Sequence, residues 1–310
     1  MDLLTDTCDF EEIELSDDYA GKVKATLIKP KTNTGNRKSI LFLHGIIDYF
    51  FHHHVIKEFN QFGFDVYGLD LRKHGRSYLE HQRLYYCKSL DEYFEEITYS
   101  LKRIRSITDQ PIFLAGHSTG GLTASLYMNK GEAKDLVTGL LLNSPLLELP
   151  ISKPLKQITR AACMVFLNVH SEMPVLWNVR RYVGKTYIRQ HVVKGGEWNF
   201  NIDWKGGKPF WLYYSWLDAV IKGTDFLHHK SNITVPVLLM HSWKSYTGGY
   251  ESDKVLNVED LKKHGPKLGN NVQLLEIEKG VHDIFCSRKE VRDYAFKQSA
   301  EWAEKVMKNS

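Results

Sequence analysis

Short apolar runs recur along the chain at VKATLI (residues 23–28), ILFLH (40–44), FDVYGLD (64–70), PIFLA (111–115), TGLLLNS (138–144), VPVLLMH (235–241) and VQLLEIE (272–278). They are rich in β-branched and aromatic residues, and several are apolar at successive rather than alternate positions. A strand has that pattern when both faces of its sheet are covered, as in a parallel sheet between layers of helices. Helical periodicity fills the gaps. It is clearest over residues 89–107, where Ser89 and Glu92 have the spacing of a capping box before an i, i+3/i+4 apolar stripe. A further helix closes the chain from about Arg288. The alternation predicts an α/β fold with a mostly parallel central sheet flanked by helices.

The alternation breaks over residues 146–232, which contain helical pieces, no convincing strand and five of the seven tryptophans (Trp177, Trp198, Trp204, Trp211 and Trp216). This stretch reads as a mainly helical cap inserted into a core domain made of residues 1–145 and 233–310. There are no internal repeats and no low-complexity segment.

At 310 residues with 43% hydrophobic positions, the chain has the material for a sizeable core. Its four cysteines (Cys8, Cys87, Cys163 and Cys286) are scattered and form no metal or redox pair, which points to buried thiols in a reducing, cytoplasmic setting. The N-terminus lacks the basic start and apolar stretch of a signal peptide, and no window approaches the roughly 18 apolar residues of a membrane span. Charge is uneven: residues 2–18 carry eight acids and no Lys or Arg, whereas residues 151–210 carry ten Lys/Arg against three acids. A basic stretch of this kind is either a solvated face or a surface for transient contact with anionic membrane headgroups. No helix-turn-helix, zinc-finger or RNP pattern points to nucleic acid.

The chemistry is concentrated in PIFLAGHSTGGLTASLYM, where Gly116-His117-Ser118-Thr119-Gly120 lies between a strand and a helix-forming run. A serine on a sharp strand-to-helix turn has strained backbone angles, and only small residues two positions away on each side avoid collision. The turn aims the hydroxyl at a helix N-terminus, which favours developing negative charge. Serine needs a base. His282, directly after the last apolar run, is the candidate by position, because loops at the carboxyl ends of parallel strands converge on one crevice. His241 also ends a strand and competes. His52-His53-His54 invites a metal reading, but consecutive helical residues point in different directions, so no metal or cofactor is expected.

In chain order, LFLHGIIDYF (41–50), LDLRKHGRS (69–77), AGHSTGG (115–121) and GVHDIF (280–285) resemble the motifs of the α/β-hydrolase fold, and within it the monoacylglycerol lipase and lysophospholipase-like serine hydrolases. The resemblance implies that Ser118 attacks an acyl carbonyl, that His282 takes and returns the proton, and that the backbone N–H groups of Ile46 and Thr119 hold the oxyanion. The chain departs from the family at three places. Ile47 stands where the family has glycine after the HG pair, and Lys73 where its 69–77 loop has glycine; that loop reads as a structural turn. The triad acid usually follows the strand matching PVLLMH within about four residues, and Ser245 occupies that place. The later segment DKVLNV (253–258) resembles the acid-bearing segment of a related branch, which implies Asp253. Glu148, after the TGLLLNS strand, is the alternative.

Eight aromatics fall among residues 198–216. They either pack the cap on the sheet or roof an apolar substrate pocket, with Trp204, Trp211 and Trp216 as candidate pocket residues. Hydrolysis of a carboxylic ester, with a small-molecule ester or lipid as substrate, is the first functional reading. A peptidase or amidase on the same fold is the second, and would want acids in the cap to hold a substrate amine. A ligand-binding homologue without catalysis is the third.

Overall fold

All seven apolar runs are strands in the computed structural model, which describes residues 4–32, 35, 37–169, 172–175, 191–194, 196–245 and 251–308. Trp177 and the middle of the loop after PVLLMH lie outside the described residues. The strands are β1 (Cys8–Glu14), β2 (Lys24–Pro30), β3 (Lys38–Leu43), β4 (Phe64–Asp70), β5 (Ile112–His117), β6 (Val137–Asn143), β7 (Val237–Ser242) and β8 (Val272–Ile277). They form one sheet in the order β1-β2-β4-β3-β5-β6-β7-β8. β2 is antiparallel to both neighbours, and every pair from β4 to β8 is parallel.

The helices among the described residues are α1 (His53–Gln61), α2 (Phe94–Arg105), α3 (Thr119–Lys130), α4 (Lys153–Val169), α5 (Tyr214–Lys230), α6 (Val258–His264) and α7 (Lys289–Lys308). The doubly apolar runs face a core on each side, because successive residues of a strand point to opposite faces. Leu41, Leu43, Leu114, Leu140 and Leu239 pack with Ile97 and Leu101 of α2, Leu122 of α3 and Val220 of α5. Ile40, Phe42, Phe113, Leu238 and Met240 pack with Phe59 of α1 and Phe296 and Trp302 of α7. The expected capping box is present: the Ser89 hydroxyl accepts from Asp91 N–H and the Glu92 carboxylate from Ser89 N–H, opening a short 3₁₀ turn that leads into α2.

β1 is the one strand the apolar pattern does not announce. It is an edge strand, paired only with β2, and Glu11, Glu12 and Glu14 leave just Cys8 and Ile13 fully buried. Between β6 and β7, α4 packs on α5 and α5 on α3.

The loop after β4 is built around a carboxylate with no exposure. Asp70 accepts from the N–H groups of Phe50 (2.7 Å) and Arg76 (3.0 Å) and pairs with the Arg76 guanidinium (2.7 Å). Lys73, at φ 64°, buries its amine against Asp18. Both side chains are committed to holding the turn. Asp70→Ala removes the carboxylate that the partly buried Arg76 guanidinium and two N–H donors share, so urea unfolding should show a loss of ~3–5 kcal/mol. A loss below about 1 kcal/mol would mean the loop does not depend on this carboxylate.

Candidate active site

Between β5 and α3 the chain reverses over Gly116–Gly120, and Ser118 at its apex has φ 54° and ψ −119°. That backbone costs a non-glycine residue on the order of 1–3 kcal/mol and persists only when its surroundings hold it. Here the Ser118 N–H donates to the Asn143 carbonyl (3.1 Å), and its own carbonyl accepts from Leu122 (3.1 Å) and Leu146 (2.9 Å). The flanking glycines leave no choice of residue: a Cβ on Gly116 would sit 2.5 Å from the Gly120 oxygen, and one on Gly120 would sit 2.3 Å from the His44 oxygen. The hydroxyl is thereby presented at the carboxyl edge of the sheet, beside the first turn of α3.

Two other loops at this edge meet it. With its proton on Nδ1, the His282 ring donates to Asp253 Oδ2 (3.0 Å), while Nε2 accepts from the Ser118 hydroxyl (3.0 Å). Ser118, His282 and Asp253 are only 6%, 6% and 1% exposed, so the line is shielded from bulk water. The second Asp253 oxygen accepts from the N–H groups of Val255 and Leu256, both at 2.8 Å. Burial alone would raise this carboxyl; the His282 ring and the two N–H donors outweigh it and hold the group below its ordinary value.

The departure at Ser245 has a structural account. Asp253 N–H donates to the Lys244 carbonyl (3.0 Å) and Ser245 forms a bridge with Asp253, so the chain leaves after β7 and comes back alongside itself. The Ser245 hydroxyl accepts from Val258 N–H (2.9 Å) at the start of α6. It thus anchors the returning segment instead of supplying an acid. Glu148 is engaged elsewhere, with both oxygens on the Lys156 amine (2.6 and 2.7 Å). His241 turns Nδ1 to the Ser242 carbonyl (2.7 Å).

Ile46 and Thr119 line a small cavity, about 10 Å³, together with His44, His74, Tyr93 and Trp216. Trp216 is the one candidate pocket tryptophan on that lining. Trp204 packs its ring edge to Tyr49 (5.2 Å), and Trp211 is 59% exposed. The three consecutive histidines diverge: His52 bonds Asp283 (3.0 Å), and His54 stacks on Trp198 (4.0 Å).

Sequence reasoning missed a buried polar cluster next to Ser118. Lys205, on a 3₁₀ turn of the 146–232 segment, is 2% exposed and pairs with Asp48, two residues after Ile46. His117 lies 4.0 Å from the other Asp48 oxygen and 4.9 Å, ring to ring, from His282; burial pushes it down to about 4, so it is neutral. No local motif marks Lys205. Its only signal is a lysine among aromatics, which is equally what a surface loop looks like.

The comparisons with known proteins fit this geometry. The family model described as serine aminopeptidase, S33, a hydrolase family, matches residues 34–289. The chain belongs to this family. A curated relative, phospholipase YtpA of Bacillus subtilis (strain 168), is 38% identical over 66 residues, 21% of this chain and 25% of that protein, so the chain matches a quarter of its length. Among solved structures, a soluble variant of monoglyceride lipase from Saccharomyces cerevisiae, in complex with a substrate analog, superposes with TM-score 0.68 at 15% identity over 98% of each chain. Monoacylglycerol lipase from Paleococcus ferrophilus gives 0.64 at 16% over 98% of this chain and 99% of that one. A thermostable carboxyl esterase from Bacillus coagulans gives 0.68 at 15% over 96% and 98%. The S33 chain described here therefore has the α/β-hydrolase fold.

The depressed Asp253 carboxyl sets a pH dependence. A group of this kind contributes stability that is fully present above its unfolded value, about 3.9, and is lost as pH falls through the folded value. In urea unfolding, the stability difference between wild type and Asp253→Asn should shrink as pH falls below about 4. A difference independent of pH would remove the depression.

Proposed function

We propose that this S33-family chain hydrolyses carboxylic esters through an acyl-enzyme on Ser118. The observation that carries the reading is the hydrogen-bonded line from the Ser118 hydroxyl through His282 to Asp253, at 3.0 Å in both links. Ser118 Oγ attacks the ester carbonyl while His282 Nε2 takes its proton, and the N–H groups of Ile46 and Thr119 receive the developing oxyanion. His282 then returns the proton to the departing alcohol. Water attacks the acyl-enzyme by the same relay, and Asp253 holds the ring and balances the imidazolium in both halves.

An ester substrate is favoured over a peptide with a free amine by the state of the carboxylates. Among the described residues of 146–232, Glu148, Glu172, Glu197, Asp218 and Asp225 each pair with a Lys or Arg of the protein, and Asp203 is exposed. None is left buried to hold an ammonium. The 146–232 segment acts as the cap in this reading, supported by Trp216 lining the cavity beside Ile46 and Thr119. That all four cysteines are buried thiols supports a cytoplasmic setting in this reading.

A fluorophosphonate should label Ser118. Ser118→Ala should abolish labelling and lower kcat for p-nitrophenyl butyrate by a factor on the order of 10³ or more, without unfolding. Turnover of amino-acyl p-nitroanilides exceeding that of the ester would reverse the choice of substrate class, and an active Ser118→Ala would sink the mechanism.

Contact with a lipid surface belongs to the same reading. No helix among the described residues is long and apolar enough to cross a membrane. On α4, however, Ile158, Met164 and Val165 are 64%, 65% and 60% exposed, beside Lys153 and Arg160. The protein should co-sediment with vesicles containing phosphatidylglycerol more than with phosphatidylcholine alone, and Met164→Glu should reduce it. Equal recovery with and without vesicles would leave α4 as a plain solvent face.

A further inference from the structure

Where residues 146–232 leave and rejoin the sheet, three elements bring two imidazoles and a carboxylate together. Glu148 follows β6, His228 is in the last turn of α5, and His264 ends α6. A ligand atom of each lies within 4.8 Å of the other two. His228 Nε2 donates to the Leu147 carbonyl (2.7 Å), which leaves Nδ1 with a lone pair. Metal-bound histidines are held in this way, with the far nitrogen on a backbone carbonyl or carboxylate. His264 is 7% exposed, and its Nδ1 is buried with no hydrogen-bond partner. An unpaired buried nitrogen is costly, and a cation is one group that would satisfy it.

Lys156 now neutralises Glu148 and has a second carboxylate, Asp225, 4.0 Å away to which it can turn. The other group of possible ligands, His52, Asp283 and Cys286, is different. There, Asp283 Oδ1 already accepts from Asn143 (2.8 Å) and Oδ2 from His52 (3.0 Å) and Cys286 (3.3 Å), so the carboxylate is bonded to both of the other candidate ligands.

We propose that Glu148, His228 and His264 form a binding site for a divalent transition-metal ion of the zinc class. Two imidazoles and one carboxylate are ligands that zinc takes at about 2.0–2.2 Å, whereas calcium and magnesium prefer all-oxygen sets. Three protein ligands leave a fourth position to water. The rings lie stacked, with centroids 3.6 Å and planes 16° apart, so no ion lies in both ring planes until one ring tilts. Binding therefore exchanges a ring stack for two metal–nitrogen bonds. The ion joins both ends of the 146–232 segment to α6, which starts directly after the Asp253 turn.

The test uses the full chain, stripped with EDTA and dialysed, then titrated with Zn²⁺ against a chromophoric chelator. One ion per chain should bind, the melting temperature should rise with Zn²⁺ but not with Mg²⁺, and the imidazole NMR signals of His228 and His264 should shift together. Glu148→Gln and His264→Gln should each weaken binding by more than the ~10–100-fold that loss of an outer-shell partner brings. Lys156→Met, which removes the competing cation, should tighten it. Absence of stoichiometric binding by wild type overturns the proposal, as does unchanged affinity in Glu148→Gln. Since Glu148 is partly exposed, that variant decides the matter alone if His264→Gln fails to fold.

Discussion

The left-handed backbone at Ser118 is the constraint on which the rest of the site depends. A strand pointing at solvent and a helix pointing away from it have to be joined in one residue, and the strain this imposes is offset by bonds from three directions. Asn143 at the end of β6 takes the N–H, and Leu122 in α3 and Leu146 past β6 donate to the carbonyl. Because those partners belong to neighbouring strands and helices, the position of the Ser118 hydroxyl is a property of the sheet register, not of a loop. The same register brings the ends of β7 and β8 alongside, so His282 follows β8 by a short path, whereas Asp253 is carried back by the loop that leaves β7 and returns beside Lys244 and Ser245.

The two-sided apolar runs were legible because a buried parallel strand has no polar face to conceal it. That Ser118 and His282 meet at one edge of the sheet was legible for a related reason: the elbow has glycines that sterics demand, and the histidine follows the last strand. β1 was not legible. An edge strand with three glutamates owes its conformation to pairing with β2, and nothing in CDFEEIE alone requires it. Asp253 was reached only through likeness to other hydrolases, since the return of the loop beside Lys244 and Ser245 is a tertiary event.

The hidden parts are those where polar side chains meet across long separations. Lys205 and Asp48 lie 157 positions apart, and Asn143 and Asp283 lie 140 apart, so no local pattern links either pair. Trp211 and Trp216 show the converse limit. Both were candidates for the roof of a pocket, yet Trp211, ahead of α5, is exposed, and Trp216, in the first turn of α5, faces the cavity.

The Lys205–Asp48 pair has a consequence for how the site opens. Its two charges, 2% and 1% exposed, are surrounded by the rings of Phe51 and Phe200. Separating them while dry would hold both charges apart in an apolar surrounding, at a cost on the order of the ~3–5 kcal/mol typical of breaking such a pair. The 203–205 turn therefore cannot swing away as a dry hinge. Water has to enter first and take over the ammonium and the carboxylate, so displacement of this turn is in essence a wetting transition, with a rate governed by how often solvent penetrates between the rings.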